Sequence, residues 1–270
     1  MSANFNLNAY LERIEWGGAT SPSLDTLAGL LQAHMLHIPF ENLDILLGRP
    51  VRLDLDSIQD KIVRAHRGGY CFEQTTLFAA ALEQLGFQPV RHTARVVLLT
   101  PRHASPRTHM FLKVPLAEGS FIVDPGFGGL APQFPVPLVD GAAEPPTADA
   151  SHWMVRDGGY WVLRARTGDK VIDAWVSTLD LDNVVDFEVG NHFTAAYPAS
   201  PFVNRMMLRA ITPDGRVTVM NRDVTRWRGE TSQSFQLADR AALRALLVEY
   251  FGFDLPEVEQ IRVPSIPEWV

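Results

Sequence analysis

The chain has one cysteine, Cys71, so no internal disulfide can form, and no Cys-rich zinc spacing occurs. It has no run of lysine or arginine, and its formal net charge is −7 at pH 7. Nucleic acid is therefore not an expected partner, because tracking a phosphate backbone needs a basic stripe. No apolar stretch approaches the length of a membrane span. The opening "MSANFNLNAYLERIEW" lacks a basic region followed by an apolar run, so no export signal is expected and the cytoplasm is the expected compartment. Internal repeats and long low-complexity tracts are missing too. What is present is ordinary globular composition, 46% hydrophobic and 20% charged over 270 residues. That length suits one large domain or a few smaller ones.

The first third reads as helical. "SLDTLAGLLQAHML" puts Leu24, Leu27, Leu30, Leu31 and Met35 on one face and is stopped by Pro39. "DSIQDKIVRAH" repeats the pattern with Ile58, Ile62 and Val63, ending at Gly68-Gly69. "CFEQTTLFAAALEQLG" carries Phe72, Leu77, Phe78, Leu82 and Leu85, with Gly86 as its cap, so Cys71 falls in a first helical turn. From about Val90 the texture becomes strand: "ARVVLLT", "HMFLKVPL", "SFIVDPGF" and "KVIDAWVS", with a hairpin turning at Asp157-Gly158-Gly159. "APQFPVPLVDGAAEPPTADA" reads as an irregular connection. A hairpin around Pro213-Asp214-Gly215 and an amphipathic helix capped by Gly252 close the chain. Helices, then strands, then a mixed tail predict an α+β protein of three segregated units. The boundaries are expected at 1–89, 90–186 and 187–270.

"RGGYCFEQ" is the stretch that carries chemistry. A lone cysteine is by default a small buried apolar residue. A helix N-terminus, however, offers unpaired N–H groups with partial positive charge, which favour thiolate and can hold an oxyanion. Gly68 and Gly69 allow a tight entry and close approach of a substrate. A second source of positive charge would be an imidazolium. Among eight histidines, His34 and His37 lie in or beside a helix, His66 ends one, and His103 sits in a Pro- and Arg-rich loop. His109, in "RTHMFLKV", stands at the mouth of a strand and reads either as that imidazole or as a hydrogen-bonded surface residue. Asp124 ends the apolar run of "FIVDPGFGG". It reads as a turn-opening aspartate or as a carboxylate that orients the imidazole. Antiparallel neighbours can bring His109 and Asp124 together.

"RGGYCFEQ", "IPFENLD", "THMFL", "VDPGFG" and "FEVGNHFTAAYPASPF" together resemble the arylamine N-acetyltransferases over nearly the whole length. The resemblance implies a helical bundle, a β-barrel-like domain and an α/β lid around a cysteine-protease-like core. It also implies a catalytic triad of Cys71, His109 and Asp124. It implies that Glu41 and Arg67 pair to tie the "FENL" turn to the cysteine loop. Thr108, Phe127 and Gly128 would contact coenzyme A, within the glycine-containing loop "GFGGLAP" for the last two. Phe40, Val97 and Phe202, with Phe127, would line the acceptor pocket; each reads equally as a core residue. Thr75 stands where the family usually has Asn.

The activity implied is ping-pong acetyl transfer from acetyl-coenzyme A to small arylamines or hydrazines through acetyl-Cys71, with no metal. The protein would be a monomer or homodimer. The same triad would also serve an amide synthase or a thiol hydrolase of transglutaminase type, and a non-catalytic binding module is the remaining alternative. The final helix, with Leu243, Leu246, Leu247 and Tyr250 on one face, is expected with the 205–221 hairpin to shield the thiol from water.

Overall fold

A computed structural model describes residues 5–141, 151–229 and 231–269. The second half of the irregular connection, 142–150, lies outside them. Helices α1 (Leu7–Arg13), α2 (Leu24–His37), α3 (Leu43–Leu46), α4 (Leu55–Ile58) and α5 (Cys71–Gln84) occupy the N-terminal part, with a two-residue strand β1 (Phe40–Glu41) among them. The second expected helix begins as α4 but continues over Gln59–Arg64 as a π-helix. Asn6, Ser23 and Asp54 cap α1, α2 and α4 by accepting from backbone N–H groups of the first turn. Buried faces of α1, α2 and α5, including Tyr10, Leu27, Leu31, Phe78 and Leu82, form the largest core.

Seven strands follow in a nearly closed, barrel-like sheet. They are β2 (Val90–Val96), β3 (Arg107–Leu116), β4 (Gly119–Val123), β5 (Val136–Pro137), β6 (Ser151–Asp157), β7 (Tyr160–Thr167) and β8 (Lys170–Ser177). Their order is β5-β4-β3-β2-β8-β7-β6, and the edge strands β5 and β6 approach each other. β3 is buried on both faces, so its apolar run is nearly continuous. Leu112 and Val114 pack on the helical core, whereas Phe111 faces the barrel interior with Ala94, Ile122 and Trp175. The period of two therefore sends His109, like Phe111, into the barrel.

Helices α6 (Val184–Ala196) and α7 (Pro201–Asn204) lead to a five-stranded sheet of order β1-β9-β10-β11-β12. Its later strands are β9 (Met207–Thr212), β10 (Gly215–Met220), β11 (Asp223–Arg228) and β12 (Thr231–Gln236). Phe40 pairs with Arg209 and Glu41 with Leu208, so the N-terminal "FENL" turn forms this sheet's edge. Helix α8 (Arg240–Leu246) runs into a π-turn over Leu247–Phe251 that ends at Gly252, whose φ of 77° favours glycine.

Candidate active site

Cys71 opens α5 and is buried. The chain reaches it through a short parallel bridge between Phe40 and Gly69. There the Gly69 amide donates to the Pro39 carbonyl (3.2 Å) and the Glu41 amide to the Gly69 carbonyl (3.1 Å). A Cβ on Gly68 would lie 2.1 Å from the Pro39 carbonyl oxygen, so only glycine permits this approach. The motifs "IPFENLD" and "RGGYC" are thus two sides of one backbone junction.

Charged side chains lock that junction. Arg67 donates to Glu41 (2.8 Å) and to Asp44 (2.7 Å). Lys61 Nζ lies 2.8 Å from both Asp44 and Glu73 and 3.6 Å from Glu41. Burial alone would lower both cations' pKa values, but the surrounding carboxylates outweigh it and raise them above their usual range. Burial lifts the carboxyl of Glu73 against the opposing pull of Lys61, and Glu41 adds to the lift. Glu73 also accepts from the Tyr70 amide (3.1 Å), which fastens the first turn behind the thiol. The expected Glu41–Arg67 pair is present; Lys61, Asp44 and Glu73 were not foreseen, because in sequence each reads as a solvated charge.

The imidazole and carboxylate come from the sheet. Extending the β3–β4 register past Leu112↔Val123 sets Asp124 opposite Phe111. His109 lies two residues along on the same face, a diagonal neighbour within reach of a long side chain. His109 Nε2 donates to Asp124 Oδ2 at 2.8 Å, and both groups are buried. Burial pushes the imidazole pKa down, but the charge and hydrogen bond of Asp124, with a further hydrogen bond to Cys71, raise it to about 10. Its other ring nitrogen is left for the thiol. The β2–β3 register shifts between Ala94 and Arg95, leaving Thr108 as the extra residue of a bulge beside His109. The Thr108 carbonyl lies 3.9 Å from Cys71 Sγ. Gly126 closes the far side: a Cβ there would be 2.5 Å from Cys71 Cα.

Thr75 has a clear role. The Thr93 amide donates to Asp182 (2.6 Å), so the opposed pair Thr93↔Met110 makes no ladder bonds and the Met110 carbonyl points toward β4. The register there would offer Pro125, which has no N–H. The Thr75 hydroxyl donates instead, at 3.0 Å.

Apolar residues close over the thiol. Tyr70, Phe72, Met110 and Phe187 are buried with Cys71, and Phe40 and Phe202 pack against them. The Phe127 ring lies 4.8 Å from His109, and Gly128, at φ 66°, has the Phe40 ring 3.5 Å from where a Cβ would be. A cavity of about 10 Å³ lined by Phe40, Gln74, Pro125, Gly128 and Arg209 has room for one water. Val97 is not among the residues packed on Cys71; it is half-buried beyond β2, where its amide donates to the Ala174 carbonyl (3.1 Å). The expected cover by the final helix is corrected: Leu243, Leu246 and Leu247 pack on the five-stranded sheet with Leu43 and Leu46, and the thiol's neighbours from the C-terminal part are Phe187 and Phe202. No group of three or more His, Cys, Asp or Glu among the described residues could hold a metal ion. No helix among them is long and apolar enough to cross a membrane.

Cys71, His109 and Asp124 thus lie together in one buried site, and the comparisons give the class of protein. A family model described as N-acetyltransferase matches residues 23–260. The chain is 38% identical over 258 residues to the arylamine N-acetyltransferase of Mycobacterium tuberculosis, covering 94% of this chain and 91% of the relative. It is 36% identical over 255 residues to the Escherichia coli enzyme of the same name, covering 94% and 90%. The solved structure of Mycobacterium marinum arylamine N-acetyltransferase in complex with CoA superposes with a TM-score of 0.88 at 35% identity, covering 94% of each chain. The chain belongs to the arylamine N-acetyltransferase family and is an acyltransferase of that class.

Proposed function

We propose that the protein transfers the acetyl group of acetyl-coenzyme A to small arylamines or hydrazines through acetyl-Cys71. The observation that carries this reading is the buried line from the α5 N-terminus through His109 to Asp124, whose carboxylate lies 2.8 Å from the imidazole and raises its pKa to about 10. The Cys71 thiolate attacks the thioester carbonyl, and the α5 N-terminal amides stabilise the oxyanion. As the C–S bond to coenzyme A breaks, His109 gives its proton to the departing thiolate and becomes neutral. The amine nitrogen then attacks the acetyl-cysteine and the bond to Cys71 breaks. His109 takes the amine proton, restoring the thiolate–imidazolium pair. Acetyl-coenzyme A is a substrate here, and no step uses a metal.

Phe40 and Phe202, which pack on the residues buried with Cys71, and Phe127, whose ring lies 4.8 Å from that of His109, support an acceptor pocket that favours flat, apolar amines; Val97 would lie at its margin. Thr108 and the 126–132 loop, with exposed Gly129, are the proposed contacts of the coenzyme. The proposed division is a helical bundle (1–89), a β-barrel-like unit (90–186) and a C-terminal unit (187–270) around a cysteine-protease-like centre, with cores shared across its boundaries: Leu112 and Val114 pack in the helical core, Leu43 and Leu46 in the C-terminal one. A cytoplasmic enzyme acting as monomer or homodimer fits this reading. The test is steady-state kinetics with acetyl-coenzyme A and varied arylamine. Parallel double-reciprocal lines and arylamine-dependent release of coenzyme A are expected. Release at the same rate with water alone would favour a hydrolase, and preference for large carrier-bound acyl chains an amide synthase.

A further inference from the structure

Asp124 is fully buried, yet every donor it has within the described residues converges on one oxygen. Oδ2 accepts from His109 Nε2 at 2.8 Å and from Trp175 Nε1 at 2.9 Å. Oδ1 is buried and has no hydrogen-bond partner there. Trp175 lies on β8, three strands from β4 in the sheet order. On a flat sheet that separation would be about 14 Å. The bond therefore exists only because the barrel curves, with the small buried Ala94 of β2 sharing the interior core with Trp175. Trp175 is itself fully buried and stacked on Phe111, with ring centroids 4.2 Å apart. Phe111 in turn stacks beside His109 at 6.5 Å.

We infer that Trp175 is a positioning residue for acetyl transfer, holding the Asp124 carboxylate in the plane that serves His109. This rests on the triad reading above. An indole N–H is a donor only and does not titrate, so its bond is the same whatever charge His109 carries. The His109–Asp124 bond weakens each time the imidazole gives up its proton, because an ion pair becomes a bond from a neutral donor. Without Trp175 the carboxylate would be tethered at that moment by this weaker bond alone and could turn toward Oδ1. His152 on β6 also faces Asp124; burial lowers its pKa, and its Nε2 donates to the Leu130 carbonyl at 2.9 Å. It cannot substitute for the indole.

Two variants test this: Trp175→Phe, and 3-benzothienylalanine introduced at position 175, which keeps the bicyclic shape but puts sulfur in place of N–H. The readout is the rate of Cys71 acetylation by acetyl-coenzyme A as a function of pH. Loss of one hydrogen bond to a charged group predicts a rate about ten- to a hundredfold lower at pH 7 in both variants. The alkaline limb should also move to lower pH, because a mobile carboxylate holds the imidazolium less well. A benzothienylalanine variant with the wild-type rate and an alkaline limb that is unmoved or shifted upward overturns the inference, even if Trp175→Phe is slow through lost packing. Failure of the wild-type protein to acquire acetyl on Cys71 would instead overturn the triad reading.

Discussion

The loop that presents Cys71 and the strands that present His109 and Asp124 are stabilised by opposite means. Behind Cys71, Arg67 and Lys61 sit among Glu41, Asp44 and Glu73, each charge but that of Glu73 answered by more than one opposite charge. Behind His109, a single carboxylate stands among aromatic rings with two donors on one oxygen. The first arrangement is redundant and remote from the reacting atoms, so its loss should threaten the fold more than the chemistry. The second is sparse and touches the imidazole directly, so its loss should threaten the chemistry more than the fold.

The largest expected effect comes from the sparse side. Asp124→Asn keeps the shape but removes the charge that sustains the imidazolium, and acetyl transfer should fall by about 10⁴ with the folded protein retained. Turnover within tenfold of wild type would place the orienting group elsewhere. On the redundant side, Arg67→Met leaves buried Glu41 with Lys61 alone, and Asp44 with Lys61 and the more distant Arg49 at 3.8 Å. Breaking a buried pair in this way costs about 3–5 kcal/mol, measurable as a lower urea midpoint. A midpoint unchanged within error would mean that Lys61 and Arg49 suffice.

A smaller effect probes the seam between the two regions. Thr75→Val keeps the volume but strands the Met110 carbonyl, and a buried acceptor left unmade costs about 1–3 kcal/mol. Thr75→Ser should recover most of the loss; equal destabilisation by both would assign the effect to packing. The smallest is a pH trend. The folded pKa of His109, about 10, lies above the ordinary value of 6.5. Its contribution to stability is therefore complete below about pH 6.5 and fades as pH rises through 10. The stability difference between wild type and His109→Gln should shrink over that window, and a constant difference would show that the imidazole is not held as a cation.

On the redundant side the cysteine loop and its helix were legible in sequence, for a local reason, whereas the charges of Lys61, Asp44 and Glu73 were not. Gly68-Gly69, the α5 periodicity and the Gly86 cap all lie within one short segment, so Cys71 could be set at a helix start without tertiary information. His109 and Asp124 were legible as strand-end residues, since one stands at the mouth of an apolar run and the other follows one just before Pro-Gly. Trp175 was not. Within "KVIDAWVS" it reads as strand core, and only barrel curvature turns its N–H toward Asp124. Helix α6 was missed because Val184, Val185 and Val189 are exposed apolar residues that blur the helical stripe. Strand β12, "TSQSFQ", is exposed at every position and has no buried face to announce it. β1, two residues long, exists only through its partners Leu208 and Arg209.

The central claim is that Cys71 carries the acetyl group between donor and amine. Intact-mass measurement after brief exposure to acetyl-coenzyme A without amine tests it most directly. The account predicts one acetyl group on the wild-type protein, located at Cys71, lost on addition of an arylamine and never formed on Cys71→Ala. An adduct of equal yield on Cys71→Ala, or an adduct on the wild type that persists when the amine is added, would contradict it.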